Sequence, residues 1–206
     1  MIKEFIAMKK YEELMGKTFS FFSPMTWTYI GFFFPLGGFL SVVNGRVWLG
    51  IVFFLLGGLL DEIDGKVARW TEQTTYLGGF VDGIVDRFAD FFFILSFFYL
   101  DFPEWIIETH IILFLLLFVT FMPPFIVAYA NHRKAVPDPT EKVIWRFSFR
   151  GEYYFLFIFI LVFSQIDIHV ALYLCLFALL LNGATVVQSL ILAIVRSKRY
   201  PQSPDE

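Results

Sequence analysis

Cysteine occurs once, as Cys175 inside an apolar run, so no internal disulfide can form and nothing points to an oxidising compartment. Cys175 reads as a small hydrophobe. Histidine is nearly as scarce: His110, His132 and His169 are scattered, and no two share a metal-ligand spacing, which removes imidazole- and thiolate-based metal sites. Charged residues make up only 17%, and a formal net charge of −3 leaves no basic excess, which argues against a nucleic-acid binder. No segment repeats, so an inverted-repeat transporter gains no support. Residues 1–17 are charged throughout and lack the continuous apolar stretch of a cleavable signal peptide.

What is present is apolar. Hydrophobic residues reach 58%, aromatics 21% with 29 Phe, and the mean hydropathy is +0.68, too high for an ordinary soluble domain of this length. The composition predicts an all-α integral membrane protein. A spanning helix needs roughly 20 apolar residues, and six runs qualify or nearly so: 25–43, 47–66, 77–100, 105–130, 152–166 and 168–195. Ser23-Pro24 predicts the start of the first helix, Asn44-Gly45 a turn after it, and Asp101-Phe102-Pro103 a break after the third. Pro123-Pro124 is expected to kink or break the fourth near its end. Before these runs, Ile2, Phe5, Ile6, Met8, Leu14 and Met15 alternate with Lys3, Lys9, Lys10 and Lys17, which suits an amphipathic helix on an anionic membrane surface. The domain organisation expected is therefore an amphipathic juxtamembrane helix at 1–20, a six-helix transmembrane domain at 21–200 and a flexible tail at 201–206.

Positive charge sets the orientation. Of 16 Lys and Arg, all but Arg46 fall on one side of such a six-span topology, while Asp101, Glu104, Glu108 and Asp167 lie on the other. The positive-inside rule then puts both termini on the cytoplasmic side of the cell membrane.

Against this background the acidic residues of the second and third runs stand out. An ionised Asp near the bilayer centre costs several kcal/mol and marks an ion, proton or substrate site. Asp61 and Asp64 lie one helical turn apart, as do Asp82 and Asp86, so each pair projects from one face of its helix. Four converging carboxylates repel unless divalent cations bridge them, and all-oxygen ligation favours Mg²⁺, then Mn²⁺ or Ca²⁺. Glu62 points away from this face. Asp90 is either the intrahelical partner of Arg87 or a support for the site.

The full order, Asp61-x2-Asp64-Gly65-x2-Ala68-Arg69-x8-Gly78-x3-Asp82-x3-Asp86, resembles at all eight positions the signature of the CDP-alcohol phosphotransferases. The resemblance implies a transferase that moves a substituted phosphate from a CDP-alcohol to an acceptor hydroxyl and releases CMP, in phospholipid biosynthesis. It implies Asp61, Asp64, Asp82 and Asp86 as ligands of two Mg²⁺ or Mn²⁺ ions, and Asp86 also as the general base. Gly65, Ala68 and Gly78 would let the nucleotide approach the helix backbones, while Arg69 and Lys66 would hold phosphate. A homodimer is implied as well. Pro24-Met25-Thr26-Trp27-Thr28 occupies the place of the family's Pro-Asn-x-x-Thr, with Met25 departing from Asn.

Ala128-Tyr129-x3-Arg133, Arg150-Gly151-Glu152 and Gly78-Gly79-Phe80-Val81-Asp82 look like the inositol-phosphate branch, with Tyr153 where that branch has a further Arg. Arg133 and Arg150, with Lys134 and Arg146 nearby, would then meet the acceptor phosphate. The same motif allows the reverse polarity, a CDP-linked small alcohol with a lipid acceptor. A cation transporter would explain buried carboxylates but not the Gly, Ala and Arg spacing, and a protein without chemistry would explain neither.

Overall fold

The computed structural model describes residues 2–133, 135 and 148–198, with residues 2–9 in backbone alone. Among the described residues the secondary structure is entirely helical: α1 (Ile2–Thr18), α2 (Pro24–Val43), α3 (Val47–Trp70), α4 (Tyr76–Phe97), α5 (Thr109–His132), α6 (Arg150–Ser164) and α7 (Ile168–Ser197). Helices α2 to α7 coincide with the six apolar runs. Three of them, α2, α5 and α7, are long and apolar enough to cross a membrane. The acidic motif interrupts the apolar character of α3 and α4, and α6, at 15 residues, rises only about 22 Å against a hydrocarbon core of about 30 Å. The architecture is that of an all-helical membrane protein, and it divides into two compact units, Met1–Tyr99 and Leu100–Glu206.

In the first unit, α2 packs against both α3 and α4, and α1 lies on α3. Local sequence sets the helix ends. Ser23 caps α2 by accepting from the Thr26 N–H at 3.2 Å, Pro24 opens its first turn, and the chain reverses at Gly45, whose φ of +72° a side chain would resist. After α3, Glu72 takes a left-handed φ of 56° and the Gln73 N–H returns to the Ala68 carbonyl at 3.0 Å, closing the helix end. Thr75 then caps α4 by accepting from the Gly78 N–H at 2.9 Å.

Small residues let α2 and α3 touch. A Cβ added to Gly38 would lie 3.0 Å from the Phe54 ring, and one on Gly57 3.1 Å from Pro35. At Gly50 it would lie 2.6 Å from Val42 Cγ2 and 3.0 Å from the Gly38 carbonyl oxygen. This is the small-residue contact by which helices associate in lipid, where burial in hydrocarbon supplies no hydrophobic drive. Gly50→Ala is expected to lower the thermal midpoint in detergent. Overpacking costs about 1–3 kcal/mol, more than the ~1 kcal/mol of helix propensity that alanine adds. Gly183→Ala, in α7 where nothing lies within 4 Å of the added carbon, should leave the midpoint unchanged or raise it.

The phenylalanines serve as a contact surface within this unit. Phe32 meets Phe88 and Phe92 at 5.6 and 6.0 Å between centroids, joining α2 to α4, and Phe54 of α3 stacks on Phe93 of α4 at 3.9 Å, both fully buried.

In the second unit, α7 packs against α5 and α6. The break at Asp101-Phe102-Pro103 is present, but the following helix begins at Thr109 rather than 105, and Thr109 Oγ1 donates back to the Pro103 carbonyl at 2.9 Å. Pro123 and Pro124 do not end α5, which continues to His132. Each proline removes one N–H, and the surrounding turns hold the helix together. The buried Asn182 amide of α7 donates to Thr120 Oγ1 of α5 at 3.0 Å, a polar tie between two apolar helices. The expected tail at 201–206 lies outside the described residues, as does most of the 131–150 connection.

Candidate active site

The four motif carboxylates all belong to the first unit, on adjacent stretches of α3 and α4. One oxygen each from Asp61, Asp82 and Asp86 fall within 4.8 Å of one another. Asp64 stands apart from this trio: it is buried, and its Oδ2 accepts a hydrogen bond from Thr28 Oγ1 at 2.8 Å. Convergence of all four therefore takes the form of three carboxylates together and a fourth held beside them by α2. Two unit charges 4.8 Å apart repel by about 3–4 kcal/mol at an effective dielectric of about 20, and the trio contains three such pairs. Oxygens bound to one Mg²⁺ at about 2.1 Å lie at most about 4.2 Å apart. A rotamer-scale contraction thus suffices for a divalent ion, and the donor set, oxygen alone, suits Mg²⁺ or Mn²⁺.

Arg87 borders the trio. Its guanidinium lies 3.1 Å from Asp90 Oδ2 and 3.8 Å from Asp86 Oδ2, and Asp90 is fully buried. Asp90 is thus the partner of Arg87. The i, i+3 spacing made that pairing legible, but the approach of Arg87 to Asp86 was not, because adjacent helix residues do not face each other.

A cavity of about 470 Å³ opens beside Asp64 and Asp82, and its lining includes Gly65, Ala68, Arg69 and Gly78. Four of the five residues expected on the donor side thus share one wall system. A Cβ on Gly65 would meet Arg69 Nη1 at 3.5 Å, so a longer side chain there would crowd the guanidinium. Gly79, also in the lining, has nothing within 4 Å of an added Cβ. A helical glycine costs about 1 kcal/mol relative to alanine, and no neighbour in this structure calls for it; its effect is to leave room in the cavity.

Lys66 is the exception. It is buried away from the cavity lining, ion-paired with Glu62 one turn earlier, with its ammonium 4.1 Å from the centroid of the Tyr11 ring. Conversely, the structure adds lining residues that the sequence did not single out: Thr28 and the α3–α4 turn residues Gln73, Thr74 and Thr75. Thr28 carried a signal, as the last residue of the Pro-Met-x-x-Thr run. Met25, the departure in that run, is also in the lining, so a thioether stands there in place of an amide.

The residues expected to meet the acceptor belong to the second unit. Arg133 is exposed and forms the C-cap of α5, its N–H bonding the Tyr129 carbonyl at 2.9 Å. Arg150 opens α6 with its guanidinium 5.9 Å from the centroid of the Tyr154 ring. Glu152 caps the same helix by accepting from the Phe149 N–H at 2.9 Å, and Tyr153, in the place of an expected arginine, is buried. Lys134 and Arg146 lie outside the described residues.

Comparison with known proteins adds an independent line. Residues 21–196 match the family model described as CDP-alcohol phosphatidyltransferase. An uncharacterized protein of Aquifex aeolicus (strain VF5) is 37% identical over 86 residues, covering 39% of this chain and 43% of that protein. A protein of Thermococcus kodakarensis named bifunctional IPC transferase and DIPP synthase is 36% identical over 72 residues, covering 33% of this chain and 17% of its own length. The chain thus spans less than half the length of either relative. The family match is far broader than the motif, since it runs from before α2 almost to the end of α7 and takes in both acidic helices and the cavity. The chain belongs to the CDP-alcohol phosphatidyltransferase family.

Proposed function

We propose that this protein transfers a substituted phosphate from a CDP-alcohol, with a CDP-lipid as the donor, to the hydroxyl of a phosphorylated polyol, releasing CMP. The observation that carries this reading is the juxtaposition of three carboxylates within 4.8 Å with a 470 Å³ cavity floored by Gly65, Ala68 and Gly78 and edged by Arg69. The cavity has room for a nucleotide diphosphate. Asp61, Asp64, Asp82 and Asp86 would hold one or two divalent ions, Mg²⁺ first. When bound, such ions neutralise the pyrophosphate and the departing CMP.

The chain's own groups do the rest. Small residues let the nucleotide approach α3 and α4, and Arg69 takes phosphate oxygens with its planar fork. Asp86 accepts the acceptor hydroxyl proton as that oxygen bonds to the phosphorus nearest the donor alcohol; the bond from this phosphorus to the bridging oxygen breaks, and CMP leaves with both electrons. Arg133 and Arg150 bind the acceptor phosphate. The six helices α2 to α7 cross the membrane with the termini and the acidic motif on the cytoplasmic side, where cytidine nucleotides are found, and two chains form a homodimer. The partial similarity to an IPC transferase and DIPP synthase supports a polyol phosphate as acceptor.

The direct test incubates purified protein with CDP-lipid, Mg²⁺ and a panel of phosphorylated and unphosphorylated acceptors, and weighs the products by mass spectrometry. CMP and a phosphodiester in equal amounts, abolished by a chelator, are expected. A protein that binds Mg²⁺ yet releases no CMP from any CDP-alcohol would be a carrier or a binding protein instead.

Two substitutions refine the reading. Thr28→Val keeps the shape of the side chain but leaves the buried Asp64 Oδ2 without its donor; Mn²⁺ affinity measured by electron paramagnetic resonance should fall about 10–100-fold, and Thr28→Ser should restore it. Arg133→Ala and Arg150→Ala should raise KM for a phosphorylated acceptor by roughly one to two orders of magnitude, the worth of a charge-assisted hydrogen bond at about 1.5–3 kcal/mol. Donor KM should be unchanged. An uncharged preferred acceptor would reverse the polarity, making the small alcohol the CDP-linked partner.

A further inference from the structure

Helix α1 is seated on the C-terminal half of α3 more closely than an amphipathic helix lying on lipid requires. Gly16 is buried, and a Cβ there would fall 2.5 Å from Trp70 Cβ and 2.9 Å from the Lys66 carbonyl oxygen. Only glycine fits this approach. Met15 and Phe19 pack on the cluster of Trp27, Ile63 and Val67, and Trp27 Nε1 donates to the Phe19 carbonyl at 2.9 Å. One turn earlier on α1, the Tyr11 ring receives the ammonium of Lys66, whose side chain is 4% exposed and paired with Glu62. A buried ammonium needs such partners to offset its desolvation. Lys66 is thereby committed to α1 and to its own helix. The residue after Tyr11, Glu12, then places its carboxylate 3.7 Å from Nη2 of Arg69, the guanidinium that lines the cavity.

We propose that α1 is a positioning strut for the cavity: Lys66 and Tyr11 latch α1 to α3, and the latched helix presents Glu12 to Arg69. Both members of the Glu12–Arg69 pair are largely exposed, so the pair is weak in isolation. It gains its effect from a carboxylate already fixed in place by the Gly16 seat, which narrows the conformations of a long side chain at the end of α3. Lys66 is then a positioning residue that acts through α1, and Arg69 is the group that meets phosphate. The inference rests on the reading of the cavity as the donor site.

The test uses the full chain in lipid nanodiscs. Tyr11→Leu and Lys66→Met are each expected to raise donor KM about 5–20-fold, the range of a partly desolvated cation–π contact. The value of kcat should stay within about twofold and Mn²⁺ affinity should not change. Tyr11→Phe, which keeps the ring, should behave as wild type. The double variant should be no worse than either single one, because both remove the same latch. A spin label on Glu13→Cys, with the native Cys175 buried, should become mobile in both single variants. A direct phosphate contact by Lys66 would instead leave Tyr11→Leu at wild-type KM with the label immobile, and that result would overturn the strut. No turnover of any CDP-alcohol by the wild type would overturn the donor reading and this inference with it.

Discussion

Asp61→Asn and Asp82→Asn are each expected to abolish CMP release and Mn²⁺ binding while leaving the metal-free protein as stable as wild type or more so. The sign of the stability change distinguishes a metal centre from a structural network. The oxygens of Asp61, Asp82 and Asp86 lie within 4.8 Å, so with no ion bound each like-charged pair would oppose folding by about 3–4 kcal/mol before protons, counter-ions or nearby cations relieve it. An isosteric amide removes two of the three repulsions. It also removes a charged oxygen ligand, so the rise in thermal midpoint that Mg²⁺ gives the wild type through binding the folded state should vanish. Thermal scans with and without Mg²⁺, alongside Mn²⁺ titration, read both effects. Near-wild-type turnover at the wild-type Mg²⁺ requirement in either variant would rule out a shared metal site. Asp64→Asn should also lose turnover; it relieves the repulsion of Asp64 with Asp82 and Asp61 but replaces the buried carboxylate that accepts from Thr28 with an amide.

Asp86→Asn should separate chemistry from binding. The amide keeps the shape of the carboxylate and one oxygen ligand, but it cannot take the proton of the attacking hydroxyl, so kcat should drop at least about 10²-fold. The donor Kd from calorimetry should be retained, since Asp86 is absent from the lining of the cavity that holds Gly65, Ala68 and Arg69. Loss of donor and metal binding as complete as in Asp61→Asn would make Asp86 chiefly a ligand and send the search for the base elsewhere. Arg87 bears on this outcome. Its guanidinium lies near both Asp86 and the buried Asp90, so an amide at position 86 leaves a positive charge that only Asp90 of that pair still offsets.

Helix positions were legible because they follow from one-dimensional patterns. Apolar run length, Ser23-Pro24 at a start and Asn44-Gly45 at a turn are local chemistry, and α2 to α7 lie where those signals put them. The exception is instructive. Pro123-Pro124 reads locally as a kink or a break, and α5 runs through it unbroken, because a helix among helices can lose two N–H donors when neighbouring turns hold it. Lys66 shows the opposite case, a signal present but outweighed by resemblance. Glu62 was placed away from the Asp61 and Asp64 face, and Lys66, four residues on, necessarily shares Glu62's side of α3 rather than the cavity's.

By itself the sequence determined that the chain is a helical membrane protein and which eight positions form its acidic motif, because composition, run length and residue spacing are properties of the chain alone. It also placed Asp61 with Asp64, and Asp82 with Asp86, each pair on one helix face. Residues three apart still differ by about 60° around a helix, so which member of a pair meets the neighbouring helix depends on how the helices cross. Only the tertiary structure decided that Asp61 joins Asp82 and Asp86 while Asp64 turns to Thr28. That choice rests on how closely α2 and α3 approach at Gly38, Gly50 and Gly57, and on Phe54 stacking against Phe93 between α3 and α4, contacts between residues far apart in the chain.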